Sequence, residues 1–378
     1  MKHILIFIGT RPEAIKLAPL VAALRARPTD FKTTVCASSQ HQQMLEQALR
    51  WFDLQPNENL QVMHEGPQLS NSVAAVLRGA GEVIERLRPD VTVIQGDTTT
   101  ALAGALAAFY AGTTIAHVEA GLRSGNRHAP WPEEINRVLI SKLANLHFAP
   151  TAKNAAILKN ENASGEVHVV GNTVLDALLL IRRRLREDVA MRTVVKSELT
   201  AAGYTPTDER HFVLVTGHRR ESFGEGLQNI CRALVQLATM HPHIDLVYAV
   251  HLNPQVHETV RQMLNNISNI FLLPPLDYGA FVMLMDRCHL ILTDSGGVQE
   301  EAPSLDKPVL VMRNATERPE VLESGAAQLV GTTIDGIVSA ATQVLDNEAV
   351  YAHMAAASNP YGDGLSAPRI VDILAKNA

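Results

Sequence analysis

The sequence is poor in cysteine. Cys36, Cys231 and Cys288 are odd in number and far apart, so neither a disulfide framework nor a CxxC redox or metal motif is available. HExxH is missing too, and His241, His243, His251 and His257 are scattered over a turn, a strand end and a helix, so no required metal is expected. No run is apolar for long enough to span a bilayer. Residues 101–118 come nearest, yet they are rich in Ala and Gly, interrupted by Gly112, Thr113 and Thr114, and bracketed by Asp97 and Glu119. They read as a helix followed by a strand. The opening MKHILIFIGT has too short an apolar part for a secretory signal, so a cytoplasmic protein whose fold starts at Met1 is expected. An excess of positive charge is also lacking: 33 Lys and Arg face 39 Asp and Glu, a net −6 that disfavours gripping nucleic acid through its phosphates. Neither a repeat nor a low-complexity tract is present.

What is present is a chain of 378 residues, 46% apolar and 19% charged, which supports a packed core and, at roughly 150 residues per domain, about two domains. Short β-branched runs bounded by turn residues alternate with helix-length segments, the pattern of a parallel sheet with crossover helices. ILIFIG, TTVCA, VTVIQ, TIAHV, LHFA and VHVVG form one series. After the polar stretch 193–210, HFVLVTG, IDLVYAV, IFLLP, LILT, VLVM and AQLVG form a second. The expected fold is α/β, with two doubly wound, Rossmann-like domains facing a central cleft. The expected boundaries are 1–170 and 171–364, with a C-terminal helix at 365–378 returning to the first domain after the turn-rich NPYGDG.

In open α/β sheets ligands bind beyond the carboxyl ends of the strands, so polar residues just after each run are the functional candidates. Gly9, Thr10, Arg11, Pro12 and Glu13 follow the first run, with Lys16 one turn on. This is a phosphate-binding helix start or a tight turn with solvated charges, and it is not the GxGxxG dinucleotide fingerprint. Gly96, Asp97 and three threonines follow VTVIQ, where Asp or Thr reads either as an ordinary helix cap or as a functional group. Glu119 follows TIAHV, and Trp131, Pro132, Glu133 and Glu134 open a helix carrying Asn136 and Arg137. Three acids at neighbouring strand mouths exceed what capping explains. In the second series His218 directly follows a strand, beside Arg219 and Arg220. Ser295, Gly296 and Gly297 follow LILT, where bare backbone N–H groups suit a diphosphate, with Glu301 placed for ribose hydroxyls; Arg313 and Arg318 add local positive charge.

Read in order, GTRPEAIKLAP, QGDTTT, HVEAGLR, PWPEEINR, GNTVLDAL, TGHRRESFG, HLNP, TDSGGVQEEAPSL, TERPE and NPYGDG resemble the non-hydrolysing UDP-N-acetylglucosamine 2-epimerases, over essentially the whole chain. The resemblance implies the GT-B-type glycosyltransferase fold and a cofactor-free, reversible conversion of UDP-N-acetylglucosamine to UDP-N-acetylmannosamine. UDP would be eliminated to a 2-acetamidoglucal and then re-added. It places Asp97, Glu119, Glu133 and His218 at the family's catalytic positions, with acid and base unassigned. It assigns Arg11, Ser295, Gly296 and Gly297 to the diphosphate, Phe281 and its loop to the uracil, Glu301 to the ribose, and Lys16, Arg137 and Arg318 to supporting roles. Gln40, His41, Gln43, Arg219 and His251 fit an activating UDP-N-acetylglucosamine site, and a homodimer serving surface polysaccharide synthesis is implied. The competing expectations are a hydrolysing epimerase, a GT-B-type UDP-sugar glycosyltransferase and a UDP-sugar sensor. The last two leave the carboxylates at Asp97, Glu119 and Glu133 unexplained.

Overall fold

The computed structural model describes residues 1–38, 42–60, 68–217, 224–251 and 253–377, the side chains of residues 42–44 excepted. Two compact units emerge: Met1–Ala177 with Tyr361–Ala378, and Leu178–Pro360.

The first unit is built on seven parallel strands: β1 (Lys2–Ile8), β2 (Phe31–Ala37), β3 (Glu58–Asn59), β4 (Val91–Gln95), β5 (Thr114–Val118), β6 (Leu146–Ala149) and β7 (Glu166–Val169), in the order β3-β2-β1-β4-β5-β6-β7. Ile4 to Ile8 are each no more than 1% exposed, because crossover helices cover both faces of a central parallel strand. Each such side chain contributes roughly 1.5–3 kcal/mol of burial. The apolar run thus selects β1 as the centre. β3 is two polar residues long and carries no apolar run, which is why the sequence pattern contains no trace of it. Residues 101–118 divide, as expected, into the helix Thr99–Tyr110 and β5.

The C-terminal helix Ser366–Asn377 belongs to this unit. Lys2 Nζ donates to the carbonyls of Leu374 and Ala375 at 3.2 and 2.8 Å, and Asp176 accepts the Ser366 and Ala367 amides at 3.2 and 2.8 Å, serving as a cap from another helix. Gly171 sits at φ +92, and a Cβ there would fall 2.6 Å from Ser366 Oγ. The motifs GNTVLDAL and NPYGDG are therefore partners, since Asn172 N donates to Tyr361 O at 2.7 Å.

The second unit carries β8 (Phe212–Gly217), β9 (Asp245–Val250), β10 (Ile270–Leu273), β11 (Leu290–Thr293), β12 (Val309–Val311) and β13 (Ala327–Leu329), all parallel, in the order β10-β9-β8-β11-β12-β13. Half of the polar stretch before β8 is the helix Val189–Ala202, capped by Asp188 at its start and by Gly203 at φ +108 at its end.

Strand order reverses between β1 and β4 in one unit and between β8 and β11 in the other. At such switch points the flanking loops diverge and leave room for a ligand. The motifs beginning at Gly9, Gly96, His218 and Asp294 follow these four strands. Among the described residues no helix is long and apolar enough to cross a membrane.

Candidate active site

At the β1/β4 switch point the chain is close-packed at Gly9, where a Cβ would lie 2.0 Å from Thr100 Oγ1 and 2.7 Å from Ser38 Oγ. Those two hydroxyls bond each other at 2.8 Å. The glycine is thus required by packing under the loop. Pro12 lies in the first turn of the helix Arg11–Arg25, and Thr10 and Glu13 form a reciprocal capping box.

Lys16, on that helix, reaches the end of β5. Its Nζ lies 2.7 and 2.5 Å from the two carboxylate oxygens of Glu119, and Gln95 Nε2 donates to Glu119 Oε2 as well. The pair is well shielded, with side-chain exposures of 15% and 6%. Glu119 also holds φ +64, a left-handed conformation that costs a non-glycine residue roughly 1–2 kcal/mol and here turns the carboxylate at the strand mouth.

The capping question at β4 is resolved by Thr98. Its Oγ1 accepts Ala101 N at 3.0 Å and caps Thr99–Tyr110, which releases the Asp97 carboxylate for other work. Arg137 Nε donates to Asp97 Oδ2 at 2.7 Å, and Asn136 Nδ2 donates to the Asp97 carbonyl at 2.8 Å. The helix Glu133–Leu143 is thereby tied to the β4 exit. Arg137 also donates to Glu134 at 3.1 Å, while the Ser124 and Gly125 amides donate to the same carboxylate at 3.0–3.1 Å. Burial alone would raise the Glu134 carboxyl, but those amides and the Arg137 charge hold it below the usual range.

Glu133, next in line, differs: its Oε2 is buried and has no hydrogen-bond partner among the described residues. His117 completes the wall. Its Nε2 donates to the Gly96 carbonyl at 2.7 Å, and burial, aided by His147, lowers its imidazole to about 3, so the ring is neutral. Two clusters thus form at neighbouring strand exits: Lys16, Gln95 and Glu119 at one, and Asp97, Arg137 and Glu134 with the helix that Glu133 begins at the other. Glu13, named after the first run, was given no role in the site, and Gln95 and His117 were not singled out. All three lie inside the quoted motifs, but their burial and partners are visible only in the fold.

At the β8/β11 switch point Thr216 and Thr293 hydroxyls lie 2.6 Å apart, and Thr293 Oγ1 accepts Ser295 N at 2.9 Å. Ser295 precedes the short helix Gly296–Glu301. A Cβ at Gly296 would lie 2.8 Å from Arg318 Cζ, whereas one at Gly297 would meet only Ser295 Oγ, at 3.9 Å. Arg318 pairs with buried Glu300 and half-buried Glu317, each at 2.9 Å. Tyr278 donates to Glu301 at 2.9 Å, and half-buried Phe281 lies on the helix Tyr278–Arg287 with it. Arg11 is partly exposed beside the capping box.

His218, Arg219, Gln40 and His41 lie outside the described residues, as does the side chain of Gln43. His251 is exposed, and its Nδ1 accepts Asn253 N at 3.1 Å. Among the described residues no three His, Cys, Asp or Glu side chains are grouped to hold a metal ion.

The UDP-N-acetylglucosamine 2-epimerase family model matches residues 22–375. The chain belongs to this family. It is 48% identical to the UDP-N-acetylglucosamine 2-epimerase of Campylobacter jejuni over 377 residues, covering 100% of this chain and 98% of the relative. Against the Escherichia coli K12 enzyme of the same name it is 48% identical over 379 residues, covering 100% and 99%. The Neisseria meningitidis UDP-GlcNAc 2-epimerase, solved bound to UDP-GlcNAc, superposes with a TM-score of 0.91 at 40% identity, over 100% of each chain. MurG of Acinetobacter baumannii, 15% identical with a TM-score of 0.61 over 100% of each chain, shares the fold alone, in keeping with the expected GT-B-type architecture. The family indicated by the sequence motifs is therefore the family found, and the chain is an isomerase of the UDP-N-acetylglucosamine 2-epimerase family.

Proposed function

We propose that the protein reversibly epimerises carbon 2 of UDP-N-acetylglucosamine to give UDP-N-acetylmannosamine, by elimination and re-addition of UDP without hydrolysis. The carbon 2 hydrogen is not next to a carbonyl, so direct removal is unfavourable. In the elimination, a base takes that proton, its bonding pair forms the double bond between carbons 1 and 2, and UDP departs with the pair of the carbon 1–oxygen bond. A proton delivered to the opposite face of carbon 2 and return of the UDP oxygen to carbon 1 complete the inversion.

The observation that carries this reading is the division of the carboxylates at the β1/β4 switch point. Asp97 and Glu119 are each paired with a cation, whereas Glu133 has a buried oxygen that no donor among the described residues reaches. Such a group is suited to accepting a proton, and the charged pairs to steadying the positive charge that develops at carbon 1. His218 is assigned with them to proton transfer on the two faces of the sugar. Arg11, Ser295, Gly296 and Gly297 are assigned to the diphosphate, Phe281 to the uracil and Glu301 to the ribose, with Lys16, Arg137 and Arg318 holding these groups in place. A homodimer, cytoplasmic residence and an activating site at Gln40, His41, Gln43, Arg219 and His251 belong to the same reading.

Proton NMR with UDP-N-acetylglucosamine in deuterated water tests it. UDP-N-acetylmannosamine carrying deuterium at carbon 2 is the expected product. Free N-acetylmannosamine with UDP would establish the hydrolysing reaction instead, and an unchanged spectrum would rule out both.

A further inference from the structure

Glu13 has no part in the reaction scheme above, yet it is among the most deeply buried ionisable side chains of the first unit, at 1% exposure. Its Oε2 accepts Gly9 N at 3.0 Å, Thr10 N at 2.7 Å and Thr10 Oγ1 at 2.8 Å. Its Oε1 accepts Thr98 Oγ1 at 2.6 Å, from a residue 85 positions away. A capping box accounts for the Thr10 contacts, and an exposed Glu or Gln would serve it equally. It accounts for neither the Gly9 amide nor the Thr98 hydroxyl, and it does not require burying a carboxyl group, which is unfavourable.

The remaining contacts point across the switch point. Thr98 Oγ1 donates to Glu13 while accepting Ala101 N, so both its hydrogen-bonding directions are used. Asp97 is its immediate neighbour, with its carbonyl on Asn136 and its carboxylate on Arg137. On the other side Glu13 secures the loop that leads into Arg11, and Lys16, one turn along the same helix, holds Glu119. One carboxyl group therefore joins the exit of β1 to the exit of β4.

We propose that Glu13 is a positioning residue: its buried carboxyl group staples these two exits together and so sets where Asp97 and Lys16 stand for the reaction. The inference rests on the epimerase reading above. Glu13 is 1% exposed and acts through the groups it holds. A glutamine keeps the staple with one bond reversed: its carbonyl oxygen takes the three donors at Gly9 and Thr10, and its amide donates to the second lone pair of Thr98 Oγ1. Alanine removes the staple altogether, and Thr98→Val removes its β4 arm together with the Ala101 cap of the helix Thr99–Tyr110, whose loss reads out in circular dichroism and not in kcat per folded molecule.

The test compares wild type, Glu13→Gln, Glu13→Ala and Thr98→Val in epimerisation kinetics, UDP calorimetry and circular dichroism. Because loosening a site by about 1 Å lowers rate by up to about 100-fold, Glu13→Ala and Thr98→Val are expected to lose roughly 30-fold in kcat. Glu13→Gln should stay within about 3-fold of wild type, and KM and UDP affinity within about 3-fold in all the variants, since uniform binding is not what is lost. A purely structural role would lower the folded fraction and leave kcat per folded molecule unchanged. If Glu13→Ala does not fold, Thr98→Val decides. A folded Glu13→Ala or Thr98→Val turning over at the wild-type kcat overturns the proposal alone. Wild-type protein that binds UDP without epimerising the sugar overturns the function reading, and the proposal falls with it.

Discussion

Lys16 and Glu119 lie 103 residues apart and meet at the mouth of β5, the Lys16 ammonium contacting both oxygens of the Glu119 carboxylate. Gln95 braces one of those oxygens, and the pair is largely shielded from water. Desolvation makes such a pair costly to break from one side, because the surviving charge stays buried.

Lys16→Met is accordingly expected to destabilise the fold by about 3 kcal/mol and to lower kcat at least about 100-fold. Urea titration and epimerisation kinetics check this. A variant as stable as wild type would show that Glu119 does not need its cation.

Arg137 bridges Asp97 and Glu134 through two different nitrogens of a planar fork. A lysine offers one point charge and cannot hold both partners in that geometry. Arg137→Lys should lose about 10-fold in kcat while leaving UDP affinity nearly untouched, because Arg137 holds Asp97 and is not among the groups assigned to UDP. Equal losses in kcat and UDP affinity would contradict that division of roles.

The two neighbouring glycines separate packing from ligand approach. Gly296→Ala places a methyl group 2.8 Å from Arg318 Cζ and should push the guanidinium off Glu300, lowering the melting temperature and weakening UDP binding about 10-fold. Gly297→Ala meets nothing closer than 3.9 Å and should melt like wild type. About 5-fold weaker UDP binding is expected of it, from the added bulk against a diphosphate. Unchanged UDP affinity in Gly297→Ala would remove the diphosphate from that backbone.

Two buried groups give stability opposite slopes with pH. Burial pushes the Glu13 carboxyl from 4.5 up to about 7, against the pull of the Thr98 and Thr10 hydrogen bonds. The folded state therefore holds this proton longer than the unfolded chain, and the associated stability, present below pH 4.5, is lost as pH rises through 7. Burial takes the His117 imidazole from 6.5 down to about 3, so its contribution is full above pH 6.5 and is lost as pH falls towards 3. Urea unfolding between pH 3 and 8 should show Glu13→Gln abolishing the decline on the upper side and His117→Gln the decline on the acid side. Parallel profiles for wild type and both variants would refute the assignment.

All the apolar runs read as strands became strands, because a parallel sheet buried on both faces demands a local, continuous apolar segment that can be seen without neighbours. β3 escaped for the converse reason: two polar residues pair at the edge beside β2 through their backbone alone. The candidate groups after the strands were legible by the same logic, since the carboxyl end of each run is a position in the sequence. Their partners were not. Asp97 could be a cap or a free carboxylate until Thr98 took the capping bond, and Arg318 reads as spare positive charge until Glu300 comes beside it. Glu13 reads as the third residue of a capping box, and its bond to Thr98 exists only because β1 and β4 are adjacent in the sheet.

Apolar periodicity and turn residues by themselves determined the element types, the parallel α/β architecture and the strand ends at which chemistry gathers, because those depend on the order of neighbours along the chain. Only the tertiary structure decided which carboxylate is ion-paired, which is stapled and which keeps an open lone pair. Electrostatic pairing and desolvation depend on distances across strand crossovers, and the chain order of Glu13, Asp97, Glu119 and Glu133 does not contain those distances.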